Sequence, residues 1–155
     1  MKLTQVRGKV REAMLEYLEN RFGIEPGTFT GFELMDNGKG RIFALSKATA
    51  EFCARNNIMS TSLPFMRLDG AAKPTSAMLQ VFGRHAQRNV LAISRSKAKE
   101  FMEGFDLLVE SGSHSCSDGY VIITYDGFPL GCGLLRGNDI KNMLPKAKRM
   151  SVELF

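Results

Sequence analysis

Two dipeptides suited to tight chain reversal, Asn37-Gly38 and Asp126-Gly127, set the first limit on this fold. Both pairs tolerate positive φ at the two central positions of a hairpin turn, and apolar runs flank each. The stretch Phe29 to Leu45 therefore predicts one hairpin, and Gly119 to Tyr125 with Phe128 to Leu135 predicts another. With one hairpin in each half, the chain of 155 residues forms one domain with a generous core or two small packed ones.

The intervening segments supply helices. Residues 4 to 22 carry Val6, Val10, Met14, Tyr17, Leu18 and Phe22 at spacings of three and four, with Thr4 as the expected N-cap. Gly23 suits a left-handed C-cap, Ile24 can fold back on Leu18, and Pro26 blocks continuation. Ser46 is placed to cap a helix carrying Ala48 and Phe52 that ends near Asn56 and Asn57. Leu63 to Leu68 is a strand that Pro64 assigns to an edge. Pro74 or Thr75 opens a helix through Met78, Leu79 and Phe82 that Gly83 terminates. Beyond it lie a strand at Asn89 to Ile93, a Ser94-capped helix with Ala98, Phe101 and Met102 that ends at Gly104, and a strand at Asp106 to Glu110. Many short strands around one small helix read as a compact, barrel-like β domain. The division falls near Gly83 to Arg88, giving modules 1–85 and 86–155 packed tightly together.

The net charge of +5, from 21 Lys and Arg against 16 Asp and Glu, is a mild basic bias. Its placement is more informative than its size. Arg84, Arg88, Arg95, Lys97 and Lys99 share a window without a carboxylate, and Lys141, Lys146, Lys148 and Arg149 gather near the end. Phosphate backbones bind such groups by releasing counterions. If the final segment pairs beside the first strand of the β domain, the two groups form one face. Two ordinary solvated faces account for the same residues. The odd count of three cysteines, the polar start from Met1 to Lys9 and the lack of a long apolar run lead to expectations of reduced thiols, a cytoplasmic location and no membrane partner.

A family resemblance rests on LAISRSKAKEFMEGFDLLVE, a Gly- and Ser-rich connection, and GYVIITYDGFPLGCGLL. Gly104, Asp106, Gly119, Gly127, Pro129, Leu130, Gly131 and Gly133 stand where the PUA domain places its pattern, so this region resembles that domain. Arg67-Leu68, Lys73-Pro74-Thr75, Leu79-Gln80-Val81-Phe82-Gly83, Arg88-Asn89-Val90 and Lys141-Asn142-Met143-Leu144-Pro145-Lys146 are similar to the C-terminal region of RNA 5-methylcytosine methyltransferases of the NOL/Sun group. Freestanding archaeal proteins carry a similar region without a methyltransferase domain. Residues 1 to 60 resemble the α+β module that precedes a PUA domain in ribosome-biogenesis proteins.

The resemblance implies an α+β fold, an N-terminal α+β module packed on a C-terminal PUA-type β pseudobarrel. It implies a structured RNA partner, rRNA or tRNA, with an RNA-modification enzyme or ribosomal protein as a further partner. The RNA face it implies comprises Arg88, Lys97, Lys99, Gly104, Phe105, Arg136, Lys141, Lys146, Lys148 and Arg149. Glycines at 131 and 133 suit places where a backbone or ligand comes close. Glu100 and Glu103 depart from the pattern, Glu103 standing where relatives often carry a basic residue.

Catalytic features are weak. Ser115-Cys116-Ser117-Asp118-Gly119 resembles a methyltransferase Pro-Cys-Ser-Gly loop but lacks its proline, and no glycine-rich adenosylmethionine-binding unit precedes it. Arg67-Leu68-Asp69-Gly70 resembles a pseudouridine-synthase motif, yet an Asp-Gly turn explains it. His114 and Cys116 lack two further metal ligands at a usual spacing, and His85 suits a helix end. The methionines and phenylalanines fall mostly on apolar faces and read as core packing. These points lead to an expectation of no cofactor, no metal and no catalysis by the chain itself. Three roles stay open: an RNA-binding accessory protein, the RNA-positioning subunit of a split cytosine-5 methyltransferase, and a protein–protein adaptor.

Overall fold

The computed structural model describes residues 3–59 and 63–150. Its first half contains β1 (Thr4–Gln5), α1 (Gly8–Phe22), β2 (Phe32–Asp36), β3 (Arg41–Ser46), α2 (Lys47–Asn56), β4 (Leu63–Arg67), β5 (Lys73–Pro74) and α3 (Ser76–Phe82). The five strands form one antiparallel meander in chain order. Residues 37–40 join β2 to β3 as a longer loop than the expected two-residue turn: Gly38 and Gly40, not Asn37, take positive φ, and the Asn37 Oδ1 accepts from the backbone N–H of Lys39 and Arg41 at 2.9 and 3.2 Å. Phe82 lies edge-on to Phe29, Phe32 and Phe65, with ring centroids 4.9, 5.2 and 6.4 Å away. Such pairs each contribute about 0.5–1.5 kcal/mol beyond area burial.

The second half contains β6 (Val90–Ala92), α4 (Arg95–Glu103), β7 (Leu107–Leu108), β8 (Gly119–Tyr125), β9 (Phe128–Arg136) and β10 (Asp139–Asn142). Its sheet has the order β6-β8-β9-β10-β7, with β6 parallel to β8 and the other pairs antiparallel. Asp126 and Gly127 have φ of 50° and 79°, as a type I′ turn requires. One face of this sheet packs Leu91, Val121, Ile123, Leu135 and Ile140 against Phe101, Met102 and Leu144.

The other face meets the first half. Ile122 and Cys132, opposite one another in β8 and β9, belong to the same buried cluster as Leu18, Phe22, Met78 and Leu79. Ser76 Oγ accepts from the Cys132 N–H at 3.0 Å, and Gln80 donates to the Leu130 carbonyl at 2.7 Å. Arg21 donates to the Tyr120 carbonyl and to Ser117, each at 2.7 Å. The backbone at Gly83 packs tightly on the second sheet, since a Cβ there would lie 3.2 Å from Pro129 and 3.3 Å from Ile122.

Ser46, Thr75 and Ser94 cap their helices as expected, accepting from Thr49, Met78 and Lys97. Several elements differ from the sequence reading. Thr4 is not a helix cap: Thr4 and Gln5 pair with Asp36 and Met35, and α1 begins only at Gly8. Ala48 and Phe52 are not core, because α2 presents Thr49, Ala50 and Cys53 to the sheet and leaves Phe52 57% exposed. Phe128 is exposed too, whereas the exposure of Phe105 suits the surface role the resemblance implies for it. Pro64 occupies an interior strand, but β5 reaches only Met66 and Arg67, so Pro64 has no ladder partner on that side. Gly83 caps the end of α3 as expected, and a separate 3-10 turn then runs to His85. Asp139–Asn142 is a strand that the sequence reading left out.

Candidate nucleic-acid interface

Helix α4 places the centre of the implied RNA face. Gly104, with φ of 102°, ends the helix in the left-handed region and leaves bare backbone. A Cβ there would lie 2.5 Å from the Arg149 side chain, so the guanidinium arm rests on Gly104. The Met150 N–H donates to the Met102 carbonyl at 2.8 Å, fixing the tail against the helix end. Asn142, itself buried, donates to the carbonyls of Phe101 and Phe105 at 2.7 and 2.9 Å. It thereby holds the Phe105 backbone beside β10, with the residue 59% exposed. Lys146 and Lys148 lie on the 3-10 turn between them, and Lys148 reaches Gln80 of α3 at 3.3 Å. Arg149 thus rests on Gly104 at the end of α4, where a cation is favoured by the helix dipole, with Phe105 exposed beside it, while Lys148 turns toward α3 and Lys146 lies on the adjoining turn.

The other implied residues lie elsewhere. Lys141 is opposite Leu134, and Leu134 is opposite Tyr120, so the three share a face. Arg136, two residues along β9, shares it as well. This face is the one that carries Ile122 and Cys132 toward the first half, opposite the α4 side. Burial raises the Tyr120 hydroxyl above its ordinary pKa, with Cys132 adding to the shift and Arg136 opposing it. Arg88 donates to the carbonyls of Asn20 and Glu19 at the end of α1. Lys97 donates to the Leu108 carbonyl at 2.6 Å, so its charge also caps backbone. Lys99 lies on α4, partly exposed. Pairing of the final segment beside β6 falls outside the described residues.

The glycines of β9 have a different reason from the one expected. A Cβ at Gly133 would lie 2.6 Å from Ile140 Cγ2, and one at Gly131 would lie 3.1 Å from both Leu144 and Ser76. Core side chains, not a ligand, occupy that space. Burial raises the Cys116 thiol above its ordinary pKa, with Arg21 opposing the shift, so the thiol is held neutral. Asp69 lies 3.5 Å from Arg67 on an exposed turn. Among the described residues no three His, Cys, Asp or Glu side chains converge, and no helix is long and apolar enough to cross a membrane.

Comparison with known proteins agrees with this architecture. Residues 88–150 match a family model described as the methyltransferase RsmF PUA domain. Residues 4–58 match a family of unknown function (DUF7122). The chain is 27% identical to the ribosomal RNA small subunit methyltransferase F of Aeromonas hydrophila, covering 95% of this chain and 30% of that protein. Over 62 residues it is 34% identical to the enzyme of the same name from Shewanella oneidensis, covering 40% of this chain and 13% of that protein. The chain therefore spans less than a third of the length of these relatives. A conserved PUA domain protein from Thermoplasma acidophilum superimposes with a TM-score of 0.64 at 14% identity, covering 96% of this chain and 98% of its own. A hypothetical protein from Pyrococcus horikoshii OT3 gives 0.54 at 14% identity, with 97% and 88% covered. The fold is α+β with a PUA-type pseudobarrel.

Proposed function

We propose that this chain, a PUA-domain protein resembling the C-terminal region of the Sun and RsmF methyltransferases, binds structured RNA as an accessory in ribosomal RNA modification and performs no chemistry itself. The observation that carries this reading is the cluster at the end of α4. The Arg149 side chain rests on Gly104, Phe105 beside it is exposed, and Lys146 and Lys148 precede Arg149 on the adjoining 3-10 turn. RNA is recognised largely through shape, backbone and 2′-hydroxyls, for which small and cationic residues are suited. The matched model for the second half is a PUA domain rather than a catalytic methyltransferase domain, and partial burial of Cys116 disfavours its thiolate.

A second reading is favoured by the relatives' printed activity. The chain acts as the RNA-positioning part of a cytosine methyltransferase whose catalytic part is a separate polypeptide. tRNA is the alternative RNA, and the cytoplasm is the compartment both readings require.

Fluorescence anisotropy with labelled, protein-free small-subunit rRNA tests the first reading. Binding is expected to weaken steeply with salt and to be lost on combined Lys148→Glu and Arg149→Glu reversal. Lys141→Glu, on the other face, is expected to have the smaller effect. Methyl transfer that appears only with an added catalytic partner supports the second reading. Absence of RNA binding, with a ribosomal or modification protein co-purifying, leaves a protein–protein adaptor and overturns both.

A further inference from the structure

Three cations stand in one row across the first sheet, away from the cluster on α4. In the register of β3, β4 and β5, Arg41 lies opposite Arg67, and Arg67 lies opposite Lys73. Residues directly opposite in antiparallel strands point to the same face. One position along, Ile42, Met66 and Pro74 form a matching row that is buried. Arg41, Arg67 and Lys73 therefore project away from the core, and all three are exposed. The row covers two strand spacings, about 10 Å.

Like charges directly opposite one another destabilise a sheet. The carboxylate at hand is Asp69, 3.5 Å from Arg67, with both side chains about half exposed at 49% and 48%. A single solvent-screened pair offsets little of that repulsion. A polyanion lying along the row would relieve the repulsion at all three positions. The row also connects with the second half. Arg41, Arg67 and Thr75 line a cavity of about 280 Å³ together with Pro145. Pro145 immediately precedes the basic turn Lys146–Lys148. Two cations of the first sheet thus border a depression whose far side is the residue leading into the basic turn.

We propose that Arg41, Arg67 and Lys73 form a second phosphate-contact site, which takes the sugar–phosphate backbone of the same RNA as it leaves the Lys146–Arg149 turn. This rests on the RNA-binding reading above and assigns the first half a direct part in it. The contacts are to phosphates, so the site adds affinity and salt dependence without reading sequence.

The test uses the full chain and labelled, protein-free small-subunit rRNA, titrated between about 50 and 200 mM salt. The triple variant Arg41→Gln, Arg67→Gln, Lys73→Gln is expected to bind about tenfold or more weakly at the low end. Its plot of log K against log salt is expected to be shallower by about 2. Its melting temperature is expected to equal or exceed that of the parent, because the like-charge row is gone. Arg55→Gln, which removes a cation paired with Glu51 on α2, is expected to leave affinity and slope unchanged. A folded triple variant with parental affinity and slope overturns this site while the RNA-binding reading stands. A parent chain that does not bind overturns both. If the triple variant does not fold, Lys73→Gln alone decides, with a slope shallower by about 1 expected and an unchanged slope against the proposal.

Discussion

The two sheets close their cores in different ways. The first is a meander in chain order, and its interior is aromatic, with Phe22, Phe29, Phe65 and Phe82 packed together. That interior is not complete on its own, because Ile122 and Cys132 of the second sheet belong to it. The second sheet is knit by contacts that skip strands, including the parallel β6–β8 pair, and its α4-side core draws on its own residues. A sheet assembled from neighbours can still depend on a distant partner, whereas one with more complex order supplies its own interior. The division into a module of residues 1–85 and a PUA domain of residues 86–155, packed tightly together, therefore stands as a proposal with an asymmetric expectation: the second half is the more self-sufficient.

The largest effect that sharpens this contrast is expected at Phe82. Phe82→Ala removes the hub of three ring contacts and is expected to cost about 3–5 kcal/mol, read by denaturant unfolding. Next comes Ile122→Ala, at about 2–5 kcal/mol. Although Ile122 is in the second sheet, amide exchange is expected to rise first in α1 and α3. Acceleration confined to α4 and β7 would break the comparison. Ser76→Ala leaves the buried Cys132 N–H without its acceptor and is expected to cost about 1–3 kcal/mol. Gly104→Ala places a side chain at φ of 102° against Arg149, with about 1 kcal/mol expected in the same assay.

Alkaline pH probes the junction directly. Burial pushes the Cys132 thiol up to about 12 from an ordinary value of 9.0, with Arg21 opposing the shift. The unfolded chain loses this proton first, so the folded state binds more protons between those values and stability falls as pH rises. Thermal melts above pH 9.0 are expected to show this fall, and Cys132→Ala to remove its onset near pH 9.0. Tyr17, raised to about 12 from 10.0 chiefly by burial, then contributes in the same direction.

What the sequence revealed depended on how local the cause was. Ser46, Thr75, Ser94 and Asp126-Gly127 act within a few residues of themselves, and each took its expected role. Thr4 did not, since its partner Asp36 comes from a distant strand that competes with helix formation. Phe52 looked like core because its spacing says nothing about which side of α2 meets the sheet. Gly104 and Arg149 were both named from the family pattern, but their direct contact depends on the tail folding back through Met150. The row of Arg41, Arg67 and Lys73 escaped notice because strand register, not sequence proximity, aligns it.

Ultraviolet crosslinking of the full chain to small-subunit rRNA, with the attached peptides identified by mass spectrometry, asks where the RNA lies. Crosslinks concentrated on the peptides bearing Phe105 and Lys146 to Arg149 are the predicted result. Crosslinks confined to α1 and α2, or none at a concentration where the RNA is bound, would contradict an RNA surface at the end of α4.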